Sequence, residues 1–331
     1  MDLDAFAAVH SQDWKRLDEL TARRRLNGAE ADELLQLYQR ASTHLSVIRS
    51  VAPEGALSAA LSMRLSRART RFTGARSNFF EDLAGFFVYS LPAAFYRVRI
   101  LTVVIGALFI LVSALTAYWV VNTPGVLSAI GTDAELRRYV ESDFAAYYSE
   151  NPAASFAGMV WTNNAWIALQ AVAFGITGIW VPYILYQNAV GVGTAAGTMA
   201  SFGELDTFFT YILPHGFMEL TAIFIAAAAG LQIFWALVAP GPRPRITALA
   251  QEGRSLMTVA LGLVAVLFIS GLVEGFVTPS GLPAWLRITI GALVLAAYWA
   301  YTLILGKRAY EAGFRGDLLA RDAGEATVRS A

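Results

Sequence analysis

Apolar and polar positions follow three patterns along this chain, and each predicts a different element. In the N-terminal part, Leu34, Leu35, Tyr38, Ala41, Leu45 and Ile48 recur at helical spacing and share one face. Asn27 followed by Glu30 fits a capping box that starts this helix. Phe79, Phe80, Leu83, Phe86, Phe87 and Leu91 then form an aromatic-rich amphipathic stretch ending at Pro92. It predicts a helix over residues 79–97 that lies in a membrane interface and turns the chain into the bilayer. The third pattern is continuous. Ile100–Val121, Leu256–Val277 and Leu286–Leu305 are apolar runs long enough to cross a hydrocarbon core of about 30 Å.

The stretch between these runs, Asn163–Pro240, is harder to divide. Ala165–Tyr186 can cross once, although Gly175, Gly178 and Pro182 interrupt it. Ala189–Phe202 is a weaker, shorter run that contains Gly193 and Gly197 at a spacing suited to close helix packing, within the chain or between copies. Ile212–Val238 can cross again. Freed backbone groups cost several kcal/mol in lipid, so interrupted helices there must line a cavity or pack in protein.

Composition agrees with the pattern. Of 331 residues, 56% are hydrophobic and 15% charged, and mean hydropathy is +0.50, against about 25% charged residues in an ordinary soluble domain. Disorder is excluded by the same values. The absence of cysteine removes thiolate chemistry, cysteine-ligated zinc and redox switching. Met1–Phe6 is acidic and no apolar segment follows, so the first span, near residue 98, is expected to stay in the mature chain.

Charge fixes the expected orientation. Residues 1–99 carry 14 of the 25 basic residues, and no lysine or arginine occurs between Arg138 and Arg243. Arg97 and Arg99 precede the first span, so the positive-inside rule places the N-terminal region in the cytoplasm. The segment 122–162 holds two arginines against five acidic residues, as an external loop should, with a short surface helix over Asp133–Tyr148. Arg243, Arg245 and Arg254 form a second basic loop, and Lys307 and Arg308 flank the last span. If both basic loops face the cytoplasm, Asn163–Pro240 crosses an odd number of times. Three crossings give six spans; two give five and leave three arginines outside. The expected boundaries are a cytoplasmic helical region 1–78, the interfacial helix 79–97, a membrane domain 98–310 and a cytoplasmic tail 311–331. Arg64, Arg67 and Arg71 line one helical face near the membrane entry, either as a solvated stripe or as a contact for anionic lipid headgroups.

Three ionisable residues fall inside apolar runs: His215, Glu219 and Glu274. The first two are four residues apart and share a helix face. Asn164 and Asn188 add neutral polar groups to the same intramembrane cluster. An acid at the bilayer centre costs about 2.5–3.5 kcal/mol on insertion scales, and no lysine or arginine within the runs that carry the two glutamates offsets it. The carboxylates must then be protonated, paired with His215, held by a helix N-terminus or exposed to water. Pro214 suits the first turn of a helix, which would put His215 near a membrane face.

Pro214-His215-Gly216-Phe217-Met218-Glu219, with Ala222–Ala226 and Ala229-Gly230-Leu231 behind it, resembles the signature of the stage II sporulation protein M family. Leu272–Pro279 is similar to that family's second recurrent segment, and Asn163-Asn164 and Gln187-Asn188-x-x-Gly191 to its asparagine positions. The resemblance spans about residues 80–310. It implies a bacterial inner-membrane protein, usually with five spans. The sporulation member is a scaffold for a cell-wall-degrading machine during engulfment, and the longer N-terminal region resembles versions from bacteria that do not sporulate.

The expectation is therefore an all-α, polytopic helical membrane protein of five or six spans, with both termini cytoplasmic. Its expected role is that of a non-catalytic scaffold for a membrane or cell-envelope complex. A homodimer or larger assembly in the lipid bilayer is expected, with an unidentified cytoplasmic or envelope protein partner and no nucleic acid. The alternative is a transporter or channel in which His215, Glu219 and Glu274 handle a proton, an ion or a polar solute. No catalytic residue, cofactor or metal is expected: His215 and Glu219 alone fall short of the three protein ligands of a zinc site.

Overall fold

The computed structural model describes residues 3–23, 26–52, 55–72, 79–148 and 153–317. The chain divides into two units, Met1–Asp82 and Leu83–Ala331, and every described regular element is helical.

The first unit consists of α1 (Leu3–Ala22), α2 (Gly28–Val51) and α3 (Ala56–Phe72). The capping box forms: Asn27 Oδ1 accepts from the Glu30 amide at 2.9 Å, and Glu30 Oε2 accepts from the Asn27 amide at 3.0 Å. Leu34, Leu37, Ala41 and Ile48 of α2 are buried against Trp14, Leu17 and Leu20 of α1 and Leu61, Leu65 and Ala68 of α3. Ion pairs cross the outside of this core, Arg16 with Glu33 at 2.9 Å and Arg64 with Asp18 at 3.1 Å. Arg64 is thus engaged within the unit, Arg67 is exposed on α3, and the Arg71 side chain lies outside the described residues.

All but the first residue of α4 (Asp82–Asn122) belongs to the second unit. The separate interfacial helix expected over 79–97 is instead continuous with the first span. Pro92 does not end it, because a π-helical turn over Phe86–Ser90 precedes the proline and the Leu91 amide reaches back to the Phe86 carbonyl. Such a turn absorbs the missing proline amide, which is why the helix runs on. After α5 (Pro124–Ile130) and α6 (Asp133–Arg138), a π turn (Tyr139–Asp143) and a last turn (Phe144–Ala146) follow. Then come α7 (Ala153–Ala173), α8 (Trp180–Ser201), α9 (Leu205–Val238), α10 (Arg245–Leu272) and α11 (Ala284–Ala300).

Two expected boundaries move. The segment expected as an external loop stops sooner, since α7 begins at Ala153 rather than near residue 163. The break between the next two helices falls at residues 174–179 rather than at 187–188. Gly178 there takes a left-handed φ of +70°, and Gly175 lies so close to the Gly230 backbone that no side chain would fit.

Helix α9 is the hub. Residues Thr221–Gly230 are buried on every face, and α9 packs against α4, α7, α8, α10 and α11. Contact levels give the direction of each neighbour. Arg97 on α4 meets Gln232 of α9 and Glu252 of α10 at one end. At the other end Gly197 of α8 meets Ala117 and Val120 of α4. Helix α7 runs from Asn164 near Glu219 to Ala171 beside Gly230, and α8 returns from Gly178 beside Phe234. The six long helices described in the second unit therefore alternate in direction. Four of the helical segments, Asp82–Asn122, Leu205–Val238, Arg245–Val277 and Ala284–Glu311, are long and apolar enough to cross a membrane. Helices α7 and α8, at 21 and 22 residues, fall outside that set.

Candidate functional site

Helix α9 carries Pro214 inside its span, nine residues after its start at Leu205, so the proline does not mark the beginning of the helix as expected. Proline lacks the amide that would bond the carbonyl four residues back. Gly291 of α11 fits against the Pro214 carbonyl, where a Cβ could not. The next residue, His215, and Glu219 one turn beyond it project from the same face.

The third ionisable group comes from elsewhere in the chain. Helix α10 passes into a π-helical turn over Val273–Val277, and its second residue, Glu274, faces His215. The His215 Nε2 lies 3.7 Å from Glu274 Oε1. Donor atoms of His215, Glu219 and Glu274 all fall within 4.8 Å of one another, and the three residues are 4%, 7% and 3% exposed. Glu274 and Asn164 lie within side-chain hydrogen-bonding reach of the Glu219 carboxyl. On its other edge the imidazole Nδ1 is 3.1 Å from Thr278 Oγ1. The Ser270 hydroxyl donates to the His215 carbonyl at 3.1 Å, which fixes α9 to α10 beside the cluster.

The segment following α6 closes the site from outside. Val140, Phe144 and Tyr148 pack with Met199 of α8 and Phe208 of α9. The Tyr148 ring stacks on Tyr211 at 5.2 Å and lies 5.7 Å from the His215 ring. The stretch expected as a short surface helix thus packs onto the bundle through Val140, Phe144 and Tyr148.

Of the expected cluster, the structure brings together His215, Glu219, Glu274 and Asn164. Asn188 is not among them. Its amide donates to the Ile184 carbonyl on its own helix at 2.7 Å, because α8 is held to α4 by Gly193 against Ser113 and Thr116 and by Gly197 against Ala117 and Val120. Three neighbours of the cluster and one buried acid elsewhere in the bundle went unnoticed in the sequence. Tyr148 and Thr278 lie outside any periodic run. Arg287, near the start of α11, binds the Thr278 carbonyl at 2.5 Å and sits 5.5 Å from the Tyr211 ring centroid, so a cation stands nearer the cluster than expected. Glu252 was masked by the surrounding arginines, yet Arg97 holds it at 2.7 Å at the far end of the bundle.

Chemically, a buried imidazole and two carboxylates can share a proton or hold a cation. A groove of about 760 Å³ between α4, α8 and α9 is lined by apolar side chains such as Phe109, Phe208 and Phe224, and includes none of the three ionisable residues.

Two family models match the chain. A domain of unknown function (DUF8413) covers residues 4–74, which coincides with the first unit. The model described as Stage II sporulation protein M covers residues 105–279, which includes His215, Glu219 and Glu274. No curated protein and no solved structure matches the chain. Because the second match takes in more than half of the 331 residues, this helical membrane protein belongs to the stage II sporulation protein M family.

Proposed function

We propose that this chain is a non-catalytic membrane scaffold that organises a membrane or cell-envelope complex, in an extended form from a non-sporulating bacterium. The observation that carries the reading is enclosure. The buried cluster of His215, Glu219 and Glu274 is enclosed, with the Tyr148 ring over His215, and the apolar groove beside it does not reach it. Six crossings with both ends in the cytoplasm of the inner membrane fit the alternating helix directions and the arginines of the Arg97–Glu252 end. The N-terminal unit has its own core and supplies a docking surface for a cytoplasmic partner, and a homodimer or larger assembly spaces such surfaces.

Affinity purification from native membranes tests this. The scaffold reading expects a stoichiometric partner that is lost when residues 1–78 are deleted, and no proton or ion flux in liposomes under an imposed gradient. A flux abolished by Glu219→Gln or Glu274→Gln would overturn it in favour of a transporter. One observation supports that second reading: neither carboxylate has a lysine or arginine within 4.0 Å among the described residues.

A further inference from the structure

We propose that His215, Glu219 and Glu274 are the ligands of a buried divalent transition-metal ion, of which zinc is the archetype, that clamps α9 to the end of α10. The inference is independent of whether the protein is a scaffold or a transporter.

Hydrogen-bond accounting carries the argument. Thr278 Oγ1 has the Val273 carbonyl as its acceptor at 3.5 Å, so its lone pairs face His215 Nδ1 at 3.1 Å. This arrangement suits the tautomer in which Nδ1 carries the proton and Nε2 presents a lone pair. That lone pair points at Glu274 Oε1, another acceptor, 3.7 Å away. Beside them, Glu219 Oε1 and Glu274 Oε2 are fully enclosed and have no hydrogen-bond partner. Acceptors converge here from three side chains, and the site lacks the positive charge to bind them. Arg287, the nearby cation, is turned to the Thr278 carbonyl and the Tyr211 ring.

A dication satisfies every member of this set. Two carboxylates and a neutral imidazole around a 2+ ion sum to zero charge, which removes most of the cost of placing two acids in a low-dielectric interior. Donor atoms within 4.8 Å of one another close onto a centre with bonds of about 2.0–2.2 Å after small side-chain rotations. One imidazole nitrogen and few oxygens suit zinc or a neighbouring first-row metal; calcium requires about six to eight oxygens and magnesium keeps several waters. Thr278 plays the outer-shell role of holding the ring by its other nitrogen. Asn164 is placed to complete the set from α7. Sequence spacing missed the site because the third ligand, Glu274, lies 59 residues beyond His215 and reaches it only through packing.

The test uses the full chain purified in detergent without chelators. Elemental analysis should find about one zinc or other first-row metal per chain. Stripping and refilling with Co²⁺ should give visible d–d absorption, and added Zn²⁺ should raise the melting temperature of the stripped protein. Glu219→Gln and Glu274→Gln keep the side-chain shape and should lower metal content roughly tenfold or more, while Gln170→Ala should leave it unchanged. Wild-type protein that stays metal-free after incubation with Zn²⁺ and shows no Co²⁺ spectrum would overturn the proposal and leave a proton shared between the glutamates. The Co²⁺ measurement needs no variant, so misfolding of the glutamine forms does not blunt the result.

Discussion

Both carboxylate oxygens of Glu252 lie 2.7 Å from the Nη2 of Arg97, across the interface between the first and fifth long helices of the bundle. The same guanidinium reaches Ser255 at 3.1 Å and the Arg315 carbonyl at 2.9 Å, so one side chain ties together three segments distant in sequence. Its side chain is 16% exposed and that of Glu252 10%.

Removing either partner alone should therefore strand a poorly solvated charge. Arg97→Met and Glu252→Met should each destabilise the detergent-solubilised protein, by somewhat less than the 3–5 kcal/mol typical of a fully buried pair broken on one side. The double variant should be closer to wild type than the sum of the two. Thermal unfolding followed by size exclusion measures this, and strict additivity would refute the coupling.

Helices α4 and α8 meet through glycine. Gly193→Leu and Gly197→Leu should overpack this seam and cost about 1–3 kcal/mol each, because Ser113, Ala117 and Val120 occupy the space. Gly191→Leu on the same helix meets nothing within 4 Å and should be near neutral. Equal melting temperatures for all three would count against the seam.

Asn27→Ala should lower the stability of the N-terminal unit by about 1 kcal/mol, since it removes the cap of α2, while Asn27→Asp retains it. Chemical denaturation of a 1–82 fragment, which contains its own core, reads the difference. No change on the alanine substitution would mean that α2 is held by packing alone.

The same fragment should weaken in mild acid. Burial first, then the neighbouring His10 and Arg40, hold the His44 imidazole below the ordinary histidine value, against an opposing pull from Asp13. Its Nδ1 accepts from the Trp14 indole at 3.2 Å, so protonation there breaks a core contact. The unfolded chain takes up the proton more readily; stability is complete above pH about 6.5 and falls as pH drops through that value. The pair of Glu33 with Arg16, which lowers the Glu33 carboxyl below its usual range, fails only at lower pH. A His44→Phe fragment should lose the first transition and keep the second.

Much of the bundle was legible because continuous apolar runs leave few alternatives in a bilayer, and the Asn27–Glu30 cap was legible because it is local. Helix ends read from proline were misplaced. Pro92 and Pro214 both lie inside helices, the first behind a π-helical turn and the second where Gly291 approaches. The break before α8 depends on Gly175 meeting Gly230, a contact between positions 55 residues apart that no local pattern encodes. His215, Glu219 and Asn164 stood out as polar residues in apolar surroundings. Tyr148 and Thr278 did not, since an aromatic in an external segment and a threonine near a helix end are unremarkable until the fold sets them beside a histidine.

The π-helical turn over Val273–Val277 makes the reach of Thr278 a matter of counting. Its amide bonds the carbonyl five residues back, at 3.0 Å, so the chain holds one more residue there than a regular helix would. Wound as a regular α-helix, the same five residues would carry Thr278 about 100° further around the axis. The hydroxyl would then leave the imidazole although every functional side chain was still encoded. Winding, as much as chemistry, is under constraint in those five positions.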